Sequence, residues 1–403
     1  MSMQETSAAG VAFTRPTGFR GRMALAALLA GSPLLALMFA ALGPVLPMMA
    51  THFADGDDGT FATQMIMTVP AIGVIIGGLM AGFMVDRFGP RPVLLWGLGV
   101  YGVAGSSGLY LDTLWPVLAT RVVVGLAIAH AVTSVGVIVG GWFQGLARVR
   151  FLGYQAAVAG ISALIFLISS GIIAEHFSWR APFALYLLAF AVLAISAVAI
   201  RSEEVPARER DAPVPAGAFR PLFPIYGVAL FLFTAYFMTS IQLSFLLAAE
   251  NVTSPLTRSF VIAGGVLAGG LCGGSYGWVV ARIGSRGAQI LLTTLLGSGL
   301  IVIGTADSLA VIAIGAIMSG GGGGMIPPHI ESRLLATARI EVRARAISFM
   351  FTALYVADFL NPLVVSPIRS AFGIHVAFIV IGSVLVLVAV PLAMRSPKIA
   401  HQH

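Results

Sequence analysis

"GFMVDRFGPR", residues 82–91, sets one acid and two arginines at the end of a long apolar run and directly before another. What such a cluster does depends on the solvent around it, and composition identifies that solvent. Of 403 residues, 58% are apolar and 10% charged, against roughly 25% charged in soluble domains. Charge-free stretches of about 18 or more residues recur along the whole length, each able to cross a hydrocarbon layer of roughly 30 Å as a helix. The chain reads as an all-α membrane protein, and residues 82–91 as a loop between two crossings.

Charge-poor segments predict twelve transmembrane helices, at 23–50, 62–85, 91–111, 113–143, 151–175, 180–200, 222–249, 259–281, 288–306, 309–330, 346–367 and 374–394. Connections are short except at 201–221, "RSEEVPARERDAPVPAGAFRP", whose polar, proline-rich character marks a linker between domains. The expected organisation is a cytoplasmic tail (1–22), a six-helix bundle (23–200), a cytoplasmic linker (201–221), a second six-helix bundle (222–394) and a short cytoplasmic tail (395–403). Of the 23 Lys and Arg, all but Arg121, Arg180, Arg258 and Arg369 fall on one side of this layout. The positive-inside rule makes that side cytoplasmic, with both termini on it. The net charge of +7 is therefore topological, and no nucleic-acid partner is expected. A multi-pass monomer in a bacterial inner membrane is the expectation.

Cys272 is the single cysteine, so no disulfide framework exists. The terminal "HQH" is too short to argue for a metal site, and no P-loop, HExxH or serine elbow occurs. Neither an enzyme nor a cofactor is expected.

The cluster recurs 195 residues later as "GWVVARIGSR", 277–286, where Gly82, Arg87, Gly89 and Arg91 become Gly277, Arg282, Gly284 and Arg286. The same offset relates "RVR" at 148–150 to "RAR" at 343–345, and Phe177 and Phe183 to Phe372 and Phe378. One offset held over a hundred residues predicts two homologous halves, hence two pseudo-symmetric six-helix bundles.

The pattern G-x-x-x-D-R-x-G-x-R after helix 2, its weaker copy after helix 8 and the 6+6 layout resemble the major facilitator superfamily of secondary transporters. "RVVVGLAIAH" (121–130) and "SWRAPFALY" (178–186) are similar to elements of its drug/proton antiporter branch, with Val124 at that branch's usual glutamine and no Gly-Pro pair in "GISALIFLISSG" (160–171). The resemblance implies that Gly82, Asp86, Arg87, Gly89 and Arg91 form a gate: Asp86 docks on the start of helix 11 near Arg345 and latches the cytoplasmic side, with the arginines bracing it. A helix start attracts a carboxylate. In the second copy the acid is Ala281, so the symmetric latch is expected to be weaker. Ordinary topogenic loop charge is the alternative. Gly265, Gly269, Gly273 and Gly277, matched in helix 2 by Gly78 and Gly82, form a stripe in helix 8. It reads either as a sliding face between the halves or as static packing. "SGGGGGMIPPHI" (319–330) predicts a broken or bending helix 10.

Polar groups at membrane depth are site candidates by default. Arg121 reads as an anion anchor or a charge beside a proton site, or else as a structural partner of backbone carbonyls. His130 reads as a titrating group or a packing residue, Gln242 lies centrally in helix 7, and Asn361 follows Asp358 in helix 11. Asp358 is the sole carboxylate placed at mid-membrane, a candidate proton acceptor or a stabilising partner of Arg121 or His130. His329 and Glu331 are expected in solvated chemistry at a helix end. Phe39, Phe231, Phe233, Tyr236 and Phe237 suit an amphipathic small-molecule substrate. Proton-coupled export is the leading reading. An uptake carrier or uniporter for an organic anion, anchored by Arg121, is the alternative, and a sensor without turnover a third.

Overall fold

The computed structural model describes residues 17–53, 56–143, 145–201, 217–339 and 342–394. Most of the predicted tail 1–22 and linker 201–221, and all of the tail 395–403, lie outside the described residues.

Among the described residues eleven helices are long and apolar enough to cross a membrane: Gly18–Phe53, Gly59–Phe88, Pro90–Leu109, Leu114–Trp142, Arg150–His176, Ala181–Ala199, Arg220–Ala249, Pro255–Gly274, Tyr276–Gly304, Leu309–Thr337 and Arg345–Phe372. A shorter apolar helix, Ile374–Ala389, follows. They are spans 1 to 12 in order, with residues 276–283 counted in span 8 because the helix kinks at Gly284. In lipid every backbone amide needs an internal partner, which only closed structures such as helices supply. The face reached by the turns after spans 2, 4, 8 and 10 is called the basic face below; the other is the distal face.

Two glycines set the fold's repeat. Gly89 (φ 83°, ψ 157°) turns the chain between spans 2 and 3, and Gly284 (φ 71°, ψ 168°) turns it 195 residues later. Side-chain-bearing residues are strained there. The second turn corrects two predicted boundaries. Span 8 starts at Pro255 rather than 259, capped by Ser254, whose hydroxyl accepts from the Thr257 amide. It breaks at Ser275 and resumes at Tyr276, reaching the kink at Gly284 before the chain continues as span 9. Span 1 likewise begins at Gly18 rather than 23, and a 3-10 turn at Gly43–Val45 interrupts it where Pro44 lacks an amide proton. Span 10 breaks at Met325, where the glycine run ends and Pro327 and Pro328 occupy the first turn of the second piece.

Packing repeats between the two six-span bundles. Span 4 lies on spans 2 and 3, and span 10 on spans 8 and 9; span 6 meets span 3 as span 12 meets span 9; span 5 meets span 1 as span 11 meets span 7. Across the bundles, span 2 touches span 11 and span 5 touches span 8. The glycine stripe faces span 10 within its own bundle, not span 5 across the interface. A Cβ on Gly320 would lie 2.1 Å from the Gly265 carbonyl oxygen, and one on Gly324 2.0 Å from that of Gly269. Gly78 and Gly277 have open space where their Cβ would be, so the four-residue spacing continues into positions that pack nothing.

Candidate functional site

Span 7 brings polar groups to the bundle interface, whose main helix contacts are those of span 5 with span 8 and of span 2 with span 11. One π-turn, Met238–Gln242, interrupts its α-helix, and such wide turns re-aim side chains and recur at functional positions. Tyr236 and Ser240 border a cavity, whereas Gln242 points into an amide chain between the bundles. Gln242 Oε1 accepts from Gln64 Nε2 of span 2 at 2.8 Å, and its Nε2 donates to Asn361 Oδ1 of span 11 at 3.1 Å. Asn361 Nδ2 donates in turn to the Thr234 carbonyl at 2.8 Å, and Ser366 donates to Gln64 Oε1 at 3.2 Å. An amide both donates and accepts, so the chain satisfies these buried groups without any net charge.

A second layer closes the interface nearer the distal face. Ser244 donates to the Gly43 carbonyl at 2.7 Å, and buried Arg258 reaches the Pro44 carbonyl at 3.4 Å. Glu175, at the end of span 5, accepts from the Ser254 hydroxyl at 2.8 Å and the Leu256 amide at 3.3 Å. A carboxylate of the first bundle thus caps the start of a helix in the second, where the helix dipole favours it.

Just toward the basic face from this seal lies a cavity of about 270 Å³, walled by spans 1, 5, 7, 8 and 11. Along each wall its lining precedes the seal from the basic side: Tyr236 and Ser240 come before Gln242, Leu354 before Asn361, and Leu167 before Glu175. Phe39 stacks on Phe237 (6.3 Å between centroids) and on Tyr355 (6.2 Å). Asp358 sits one turn beyond Leu354. It is fully buried, and neither carboxyl oxygen has a hydrogen-bond partner among the described residues. Unpartnered buried polar groups are rare and costly.

The predicted site residues therefore divide. Gln242 and Asn361 meet directly, and Asp358 lies three residues from Asn361 on the same helix. Arg121 and His130 are elsewhere, inside the first bundle. Arg121 Nη2 donates to the Ala104 and Gly105 carbonyls at 3.0 and 2.9 Å, and its guanidinium lies over the Phe183 and Tyr186 rings at 5.1 and 5.0 Å. His130 Nδ1 contacts the Leu126 carbonyl at 2.7 Å, and its ring meets Trp96 edge-on at 5.1 Å. In the predicted gate, Asp86 and Arg87 are exposed, Gly82 is half-buried, and Asp86 has no hydrogen-bond or ion-pair partner among the described residues. Arg91 donates to the Ile200 and Ala197 carbonyls, tying the start of span 3 to the end of span 6.

His329 corrects an expectation: it is buried, not solvated. Its Nδ1 lies 3.0 Å from the Tyr276 hydroxyl, because the helix resumed after Met325 turns it toward span 8. Sequence reasoning places Gln64 at the opening of span 2 and Glu175 at an outer helix end without giving either a role, and it passes over Ser366. Gln64 had a signal, a lone amide at the start of an apolar helix; Ser366 and Glu175 had none, since their partners are distant in sequence. Among the described residues no group of three His, Cys, Asp or Glu could hold a metal ion.

Residues 28–227 match the Major Facilitator Superfamily. The chain is 26% identical to a niacin transporter of Acinetobacter baylyi over 148 residues, 36% of this chain and 34% of that protein. It is 33% identical to a bacillibactin exporter of Bacillus subtilis over 107 residues, 25% of this chain and 26% of the exporter. These alignments span about a third or less of the curated relatives they match. The structure of a D-xylose–proton symporter superposes with a TM-score of 0.74 at 14% identity, covering 94% of this chain and 98% of the symporter.

Proposed function

Since this chain belongs to the major facilitator superfamily, whose members are transporters and not enzymes, we propose that it exports a small amphipathic molecule in exchange for protons, by alternating access. The two bundles, residues 23–200 and 222–394, rock about the interface, and the linker 201–221 joins them on the cytoplasmic side. The basic face is cytoplasmic, in a bacterial inner membrane, and the monomer is the working unit. Asp86 latches that face by docking on the start of span 11; its exposure while the distal layer is bonded shut fits a released latch.

The observation that carries the reading is Asp358: a buried carboxyl with no internal partner, at the bundle interface, one turn from the wall of an apolar cavity. A group so placed exchanges its proton only when the bundles part, which couples proton movement to rocking. The bacillibactin exporter supports the outward direction. Organic-anion uptake has the niacin transporter in its favour, but Arg121, the proposed anchor, is engaged by backbone carbonyls and aromatic rings away from the cavity.

The test uses inside-out vesicles carrying an imposed proton gradient, read by a lumenal pH dye. Substrate addition is expected to release protons from the lumen, and Asp358→Asn to abolish that release while retaining substrate exchange without a gradient. Gradient-independent uptake in the wild type would instead establish a uniporter.

A further inference from the structure

The cavity's polarity narrows its ligand. Among the described residues Tyr236 and Ser240 supply the only polar side chains in its lining. Neighbouring hydroxyls on span 7 are already engaged: Thr234 donates to the Leu230 carbonyl at 2.8 Å, Thr239 to the Tyr236 carbonyl at 3.1 Å, and Ser244 to the Gly43 carbonyl at 2.7 Å. The Tyr236 and Ser240 hydroxyls have no such partner among the described residues. Four residues apart across the π-turn, they lie on the cavity wall as two unclaimed groups in an apolar chamber.

The placement of Tyr236 is itself built in. Its ring lies against the backbone of span 10, where a Cβ on Gly323 would come within 2.2 Å of Cδ2. A larger residue at 323 would push the ring into the cavity, so the glycine run does more here than bend a helix.

Among the described residues no Asp, Glu, Lys, Arg or His lines the chamber, and a charge enters such a site at a cost of several kcal/mol unless it is paired. Its volume of about 270 Å³ lies just below the usual range of ligand sites, roughly 300–1,000 Å³. That holds one or two rings, not a peptide or an oligosaccharide. The Phe39 and Phe237 rings add aromatic surface, which favours ring faces and edges.

We propose that the cavity binds an uncharged, one- or two-ring aromatic molecule with one hydroxyl or carbonyl group, held by the Tyr236 and Ser240 hydroxyls against the Phe39 and Phe237 rings. This rests on the transporter reading and names the ligand class of the same cavity. The uncharged form is the one bound, so a weak acid enters protonated.

Binding to the purified full-length protein in detergent tests this without requiring flux. The probes are 2-naphthol, naphthalene and 2-naphthoate at neutral pH, read by naphthyl fluorescence. Naphthol is expected to bind saturably and at least about ten-fold more tightly than naphthoate. Tyr236→Phe and Ser240→Ala should each weaken naphthol by roughly 3- to 10-fold, the range of one neutral hydrogen bond, and leave naphthalene unchanged. Gly323→Ala should weaken both neutral probes. Absence of saturable naphthol binding, naphthoate binding as tight as naphthol, or indifference of naphthol to both hydroxyl substitutions would overturn the proposal. The expected binding pattern without proton release from vesicles would uphold it and count against proton-coupled export instead.

Discussion

Arg121 commits one guanidinium nitrogen, Nη2, to two backbone carbonyls and lies over two aromatic rings, all within the first bundle, while its Nε and Nη1 have no hydrogen-bond partner among the described residues. Replacing it by Leu should lower stability by about 2 kcal/mol, the loss of charge-assisted bonds together with cation–π contacts. Neutral-probe affinity should not change. Thermal unfolding in detergent, paired with the naphthol titration, separates the two effects, and a fall in affinity without a fall in stability would return Arg121 to the site. Its depth was legible from sequence; its partners were not, because Ala104 and Gly105 act through carbonyls that every residue possesses.

Glycine placement belongs to the scale of elements. Gly320→Ala puts a methyl group onto the Gly265 carbonyl and forces spans 8 and 10 apart, at a cost of about 1–3 kcal/mol or more. Gly78→Ala meets open space and should be neutral or stabilising by up to about 1 kcal/mol. Melting temperatures of the two variants check the contrast. Equal destabilisation would mean that the stripe packs differently from what is described above. Glu175 also acts between elements, capping span 8 from span 5. Glu175→Ala should raise distal reactivity, measured with a membrane-impermeant maleimide on a cysteine placed near residue 254, by about five-fold, the weight of a carboxylate at a helix start. The twelve spans and the break in span 10 were readable because apolar length and glycine content are local properties. The stripe's partner was not, since four-residue spacing shows that a face is smooth and not which helix lies on it. The Ser254 cap is legible as Ser-Pro before an apolar run, yet the acid completing it lies in the other half of the chain.

At the scale of the whole molecule, the 195-residue offset carried the fold, and the turns at Gly89 and Gly284 are its most direct structural trace. The repeat holds in these turns and fails in chemistry: Asp86 has Ala281 as its counterpart. Asp86→Asn should therefore shift the bundle equilibrium toward opening on the basic face, by about two- to five-fold, whereas Ala281→Ser leaves it unmoved. Spin-label distances between spans 2 and 11 at their basic ends measure the shift; identical distance distributions in wild type and Asp86→Asn would remove the latch. The bridging hydrogen bonds of Gln64, Ser244, Arg258 and Glu175 all lie toward the distal ends of their helices. The leaflet on the distal side therefore surrounds a waist stitched by these bonds. Lateral pressure from lipid headgroups then meets a waist already held on the distal side, so swapping small-headed for large-headed phospholipid in the leaflet at the basic face alone should squeeze that opening and slow its gaping.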